Sequence, residues 1–133
     1  MNPRYTAVAG RADHRCEYCR APEVLFNFPF EVEHIVPKSK NGSGQDSNLA
    51  LACRGCNLFK SDTVWGTDPE SNEEVNLFHP RIEQWGDHFV YDSESRKIEG
   101  RSATGRATVA RLQMNSDFQL ASRRWWTSLG LFP

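Results

Sequence analysis

Residues 16–60 read CEYCRAPEVLFNFPFEVEHIVPKSKNGSGQDSNLALACRGCNLFK, and this stretch decides the fold. The chain's four cysteines, Cys16, Cys19, Cys53 and Cys56, form two C-x-x-C pairs separated by 33 residues. The N-terminus has no long apolar segment of the kind that directs export. A reducing, cytoplasmic compartment is therefore expected, and structural disulfides are rare there. Two such pairs with no cysteine left over read as a four-thiolate tetrahedral metal site, zinc first. An iron–sulfur cluster uses the same ligands. A disulfide, a redox pair and buried free thiols are the remaining alternatives at this spacing. Four thiolates leave no open coordination position, so the metal is expected to hold structure and to take no part in chemistry. In a small domain such a clamp supplies much of the folding free energy.

Between the pairs, residues 30–36 alternate and are partly β-branched, which predicts a strand ending at Pro37. The segment 38–47 is a loop by composition, rich in Lys, Asn, Gly and Ser. Asn48 to Ala52 is expected to return as a second strand, and a helix to run from Arg54 to about Ser61. The result is a strand–loop–strand–helix unit pinned at both ends by the cysteine pairs.

The run C-x-x-C, Glu33-His34-Ile35-Val36-Pro37, Asn48-Leu49, Cys53-x-x-Cys56-Asn57-x-x-Lys60 resembles the zinc-clamped branch of the HNH endonucleases, in particular the small freestanding bacterial type. The resemblance covers residues 16 to 60. It implies the ββα-metal fold, an α+β class, and hydrolysis of DNA phosphodiester bonds with one divalent metal. It also implies a scaffolding role for Asn48 and a local strand distortion that lets Glu33 and His34 serve one site. Two positions depart from the commonest pattern: Glu33 stands where Asp is usual, and Asn57 where His is usual.

The residue types support that chemistry on their own. Phosphodiester cleavage needs an activated water, an in-line approach and charge relief on the leaving oxygen. An imidazole titrates near neutral pH, which makes His34 the expected general base. Glu33 offers a carboxylate and Asn57 a carbonyl oxygen, both hard ligands suited to Mg²⁺ or Mn²⁺. In a regular pleat, neighbouring side chains such as Glu33 and His34 point to opposite faces. Lys38, Lys40, Arg54 and Lys60 surround the motif and are the expected contacts to DNA phosphates.

With 133 residues, 38% hydrophobic and 25% charged, the chain has the size and composition of one globular domain. A core is expected at about 12–64 and an extension at about 75–133. No apolar run is long enough to span a membrane, and no small-molecule cofactor signature is present. The net charge of −1 conceals a strong asymmetry. Residues 1–64 carry +1, residues 65–95 carry −7 and residues 96–133 carry +5. The basic C-terminal segment can supply sequence-independent attraction to nucleic acid. The acidic stretch around Thr67–Glu74 reads as a solvated linker. Residues 88–91 and 96–99 predict a hairpin. A helix capped by Thr104 and carrying Val109 and Leu112 is expected to end near Asn115. A second, from Ser116 or Asp117, is expected to bury Phe118, Ala121, Trp125 and Leu129 and to stop at Gly130. His79 and His88 are expected in structural or surface roles. Two functions fit: a metal-dependent endonuclease, or a zinc-clamped nucleic-acid-binding module without catalysis. Oligomeric state is not legible in the sequence.

Overall fold

In the computed structural model, which describes residues 1–133, the centre is the hairpin of β1 (Glu31–His34) and β2 (Leu49–Ala52). Its antiparallel register runs from Glu31 opposite Ala52 to His34 opposite Leu49. Every β2 residue is buried, although alternate side chains point to opposite faces. Both faces of the hairpin are therefore covered. Helix α1 (Tyr5–Arg11), which the sequence pattern does not announce, contacts both strands with Val8 and Ala9 buried. Helix α2 (Arg54–Lys60) follows β2 directly and also packs on both strands.

The expected strand over 30–36 is shorter than its apolar pattern. Ile35 and Val36 leave the strand, and the Ile35 N–H donates to the Asn48 carbonyl at 2.9 Å. Asn48 organises the long loop that follows. Its side-chain oxygen accepts from the Val36 N–H, and its amide nitrogen donates to the Val36 and Ser43 carbonyls. Within the loop, 3₁₀ turns form at Lys38–Lys40 and Asp46–Asn48. Gly42 lies against the Val36 carbonyl, where an added Cβ would come within 1.7 Å of the oxygen.

The acidic stretch is no free linker. It forms a hairpin of β3 (Trp65–Thr67) and β4 (Glu74–Asn76) whose turn holds a fully buried Asp68. Arg106 grips Asp68 through Nε and Nη2, both at 2.9 Å. Hydrogen bonding from Arg106 is the main cause that holds the Asp68 carboxyl well below the usual range. A short helix α3 (Trp85–His88) leads into the expected hairpin, β5 (Phe89–Tyr91) with β6 (Ile98–Gly100).

Helices α4 (Ala103–Arg111) and α5 (Asp117–Ser128) complete the chain. The cap of α4 is Ser102, not Thr104: its Oγ accepts from the Gly105 N–H at 2.9 Å. Ser102 also meets His88, whose other ring nitrogen lies 3.0 Å from Glu83, so His88 bridges the α3 segment to α4. Helix α5 is capped by Ser116 and ends before Gly130, which has φ +74°. It faces the core with a different side from the one its apolar spacing suggests. Phe118, Trp125 and Leu129 are exposed, while Arg123 and Trp126 are buried. Trp126 packs between Phe26 and Phe132, with ring centroids at 6.1 and 5.8 Å.

This orientation has a direct mutational signature. Trp126→Ala is expected to lower stability by about 3–5 kcal/mol through the cavity it leaves. Trp125→Ala should change stability by less than about 0.5 kcal/mol. Urea denaturation of the two variants checks the assignment, and the reverse order would put α5 the other way round.

Candidate functional site

The two cysteine pairs are built differently. Cys16 and Cys19 lie on a tight turn closed by bonds from the Arg20 N–H to the Cys16 carbonyl and from the Cys16 N–H to the Ala21 carbonyl. Arg20 takes a left-handed conformation at φ 70° to complete it. The second pair opens α2, where the Cys53 sulfur caps the helix by accepting from the Cys56 N–H at 3.5 Å. Residue Glu17 fastens the first turn to β2, its N–H donating to the Leu51 carbonyl and its carboxylate accepting from the Leu51 N–H, both at 2.9 Å.

All four cysteines are buried, and their sulfurs lie within 4.8 Å of one another. Cys19 and Cys53, from opposite pairs, are 3.7 Å apart, too far for a disulfide. Hydrogen bonding from Cys16, then from Cys53 and Cys56, drives the Cys19 thiol well below its usual range. Cys53 and Cys56 are driven up, Cys16 again being the first cause. Four soft donors converging in a closed pocket fit a tetrahedral zinc ion that binds them as thiolates. Tetrathiolate zinc carries two net negative charges. Arg123 is fully buried without any carboxylate partner, and its Nε has no hydrogen-bond partner. Its remaining nitrogens donate to the carbonyls of Arg96 and Met114 and to the Asn115 side chain. Burial lowers the guanidinium pKa overall, partly offset by the charges of Cys19, Cys56, Tyr91 and Cys53. A cation in that position suits an anionic metal centre next to it.

The residues expected to carry chemistry are not all gathered at one point. His34 ends β1, half-buried, with no hydrogen-bond partner on its ring. Asn57 is half-buried in the middle of α2, and its carboxamide also lacks a partner in the chain. Glu33 is different. Its side chain is 3% exposed, and both carboxylate oxygens are occupied. One accepts a short hydrogen bond from the Tyr18 hydroxyl, and the other lies 2.7 Å from Lys60 Nζ. Burial raises the Glu33 pKa, against the pull of Lys60 and Tyr18.

Two expectations change here. Lys60 is 1% exposed, and its ammonium also donates to the Ile35 carbonyl at 2.8 Å. It faces inward and offers nothing to a phosphate. The expected distortion that turns Glu33 and His34 toward one site is absent too. The ladder is continuous through both residues, so their side chains leave the strand on opposite faces. Paired with Lys60 and Tyr18 and only 3% exposed, Glu33 does not fit as a ligand to Mg²⁺ or Mn²⁺ beside Asn57.

Of the other expected nucleic-acid contacts, Lys38 and Lys40 lie in the loop just beyond His34, exposed and free of ion pairs. Arg54 is exposed as well, but the antiparallel register puts it beyond Ala52, at the hairpin end opposite His34. Tyr18 is the contributor that sequence reading overlooked. Lying between two zinc-ligand positions, it reads there as a spacer.

Cys53→Ser should reduce metal content from about one zinc per chain toward none and abolish the helical circular dichroism of the core. Elemental analysis with circular dichroism measures both. A stably folded, zinc-free variant would remove the clamp from this account.

The family model described as HNH endonuclease matches residues 16–63 of the chain. No curated protein matches it, and no solved structure does.

Proposed function

We propose that this protein, whose residues 16–63 match the HNH endonuclease family model, hydrolyses phosphodiester bonds in DNA with His34 as the general base. The observation that carries the reading is the state of His34. It is a half-buried imidazole with no partner in the chain, at the end of the strand that a zinc-type clamp and α2 hold in place. A base that must accept a proton from water needs such an unpaired ring nitrogen.

His34 takes a proton from a water molecule as the water oxygen attacks phosphorus. The bond from phosphorus to the leaving oxygen breaks in line with that attack. The exposed ammonium groups of Lys38 and Lys40, next to His34 in the chain, attract the phosphate backbone and lower the charge repulsion met by the attacking oxygen. Arg54, exposed at the opposite end of the hairpin, offers a more distant contact to the phosphate backbone. The Asn57 carboxamide is free to bind a phosphate oxygen or a divalent ion, and a bound ion would supply Lewis-acid charge relief at the phosphate. No helix is long and apolar enough to cross a membrane, and action on DNA in the cytoplasm is part of the proposal.

One observation favours a second reading, a zinc-clamped binding module without catalysis. The carboxylate beside His34 is already paired inside the fold. Both readings are tested on supercoiled plasmid with Mg²⁺ and then Mn²⁺. Under the nuclease reading the wild type nicks or linearises the plasmid. His34→Ala then loses at least about 100-fold in rate while keeping its zinc and its circular dichroism. Binding without cleavage in either metal would favour the module.

A further inference from the structure

Glu33 is the one carboxylate in the core hairpin that is buried on all sides, and its surroundings are fully accounted for. Tyr18, from between the first two cysteines, donates to one oxygen. Lys60, the last residue of α2, approaches the other at 2.7 Å and also binds the carbonyl of Ile35, just past the end of β1. Three separate segments thus meet at one side chain. A divalent ion at this carboxylate would have to displace the Lys60 ammonium from it. Lys60 would keep only the Ile35 carbonyl, and an unpaired buried charge is strongly unfavourable. Hard divalent ions also keep several water ligands, for which a side chain 3% exposed leaves no space. The continuous ladder adds a separate reason, since it directs Glu33 to the Lys60 side of the strand and His34 to the other.

We propose that Lys60, and not a divalent ion, is the resident cation of the Glu33 carboxylate. Tyr18, Glu33 and Lys60 then form an internal strut that holds β1, and with it His34, between the first cysteine turn and α2. All three are positioning residues. The inference concerns the site of the proposed nuclease, but it is read from cation occupancy and strand placement. Its failure is therefore separate from a failure to cleave DNA.

The test uses the full-length, zinc-loaded protein. Mn²⁺ is titrated into wild type and Glu33→Gln, with the free ion followed by electron paramagnetic resonance. The expected dissociation constants agree within about twofold, whereas a weakening of about tenfold or more in Glu33→Gln makes Glu33 a ligand and overturns the proposal. A second measurement needs no substitution, so misfolding cannot mask it. The nitrogen-15 signal of the buried Lys60 ammonium is followed as Mg²⁺ is raised to about 10 mM. It should not move, and its displacement would show that the ion competes for Glu33. For the strut, Lys60→Met is expected to shift the His34 ring resonances, and the Glu33→Met/Lys60→Met pair to return most of that shift. Unchanged His34 resonances in a folded Lys60→Met variant overturn the positioning role.

Discussion

Four sulfurs within 4.8 Å of one another join the first cysteine turn to the start of α2. The hairpin is only four residues per strand, and α2 is seven residues long. Neither is stable alone at that size. The clamp joins the ends of the segment between Cys16 and Cys56 and thereby meets a loop-closure entropy that the short elements could not offset. Its geometry then propagates. Through Glu17 the first turn is fixed to β2, through Cys53 the second pair starts α2, and through Tyr18 the first turn reaches the strand that carries His34. The C-terminal extension packs onto this unit through Trp126, which meets Phe26.

Charge is distributed inside the molecule in an unusual way. Two basic side chains, Lys60 and Arg123, are almost wholly buried. Lys60 has a carboxylate in direct contact. Arg123 has only carbonyl and carboxamide oxygens as partners. Buried ion pairs are weak sources of stability, because desolvation offsets most of the attraction. What they impose is arrangement, since removing either partner leaves a charge in a place that water does not reach. The surface has the opposite character near His34, where Lys38 and Lys40 remain free in the loop.

The core was legible because its signals are local and discrete. Cysteine spacing, Pro37, the polar loop and the residues after Cys53 each mark a boundary, and the structure follows them within a few residues. The first helix was missed because Tyr5–Arg11 has a short pattern whose only buried residues are Val8 and Ala9. Three readings failed because tertiary contacts outweighed composition. Asp68 in an acidic stretch is buried because Arg106, 38 positions later, meets it. The face of α5 was misread because the side facing the core includes an arginine, which apolar periodicity excludes. Lys60 reads as a surface cation, and only the position of Glu33 across the hairpin turns it inward. At the candidate site, residue types point to His34 and Asn57, but whether neighbouring strand residues converge depends on a ladder geometry that one-dimensional spacing does not contain.

The alternation between Glu33 and His34 also acts as a guard on assembly. A shift of the β1–β2 register by one residue would exchange the two faces of the strand. The imidazole would then enter the pocket that holds Tyr18 and Lys60, and the carboxylate would leave Lys60 stranded. Such a mispaired hairpin carries an uncompensated buried ammonium, so it is not a competing minimum. Neighbouring residues of opposite destiny therefore proofread the hairpin as it closes, and an outward-facing His34 is coupled to correct pairing of the core.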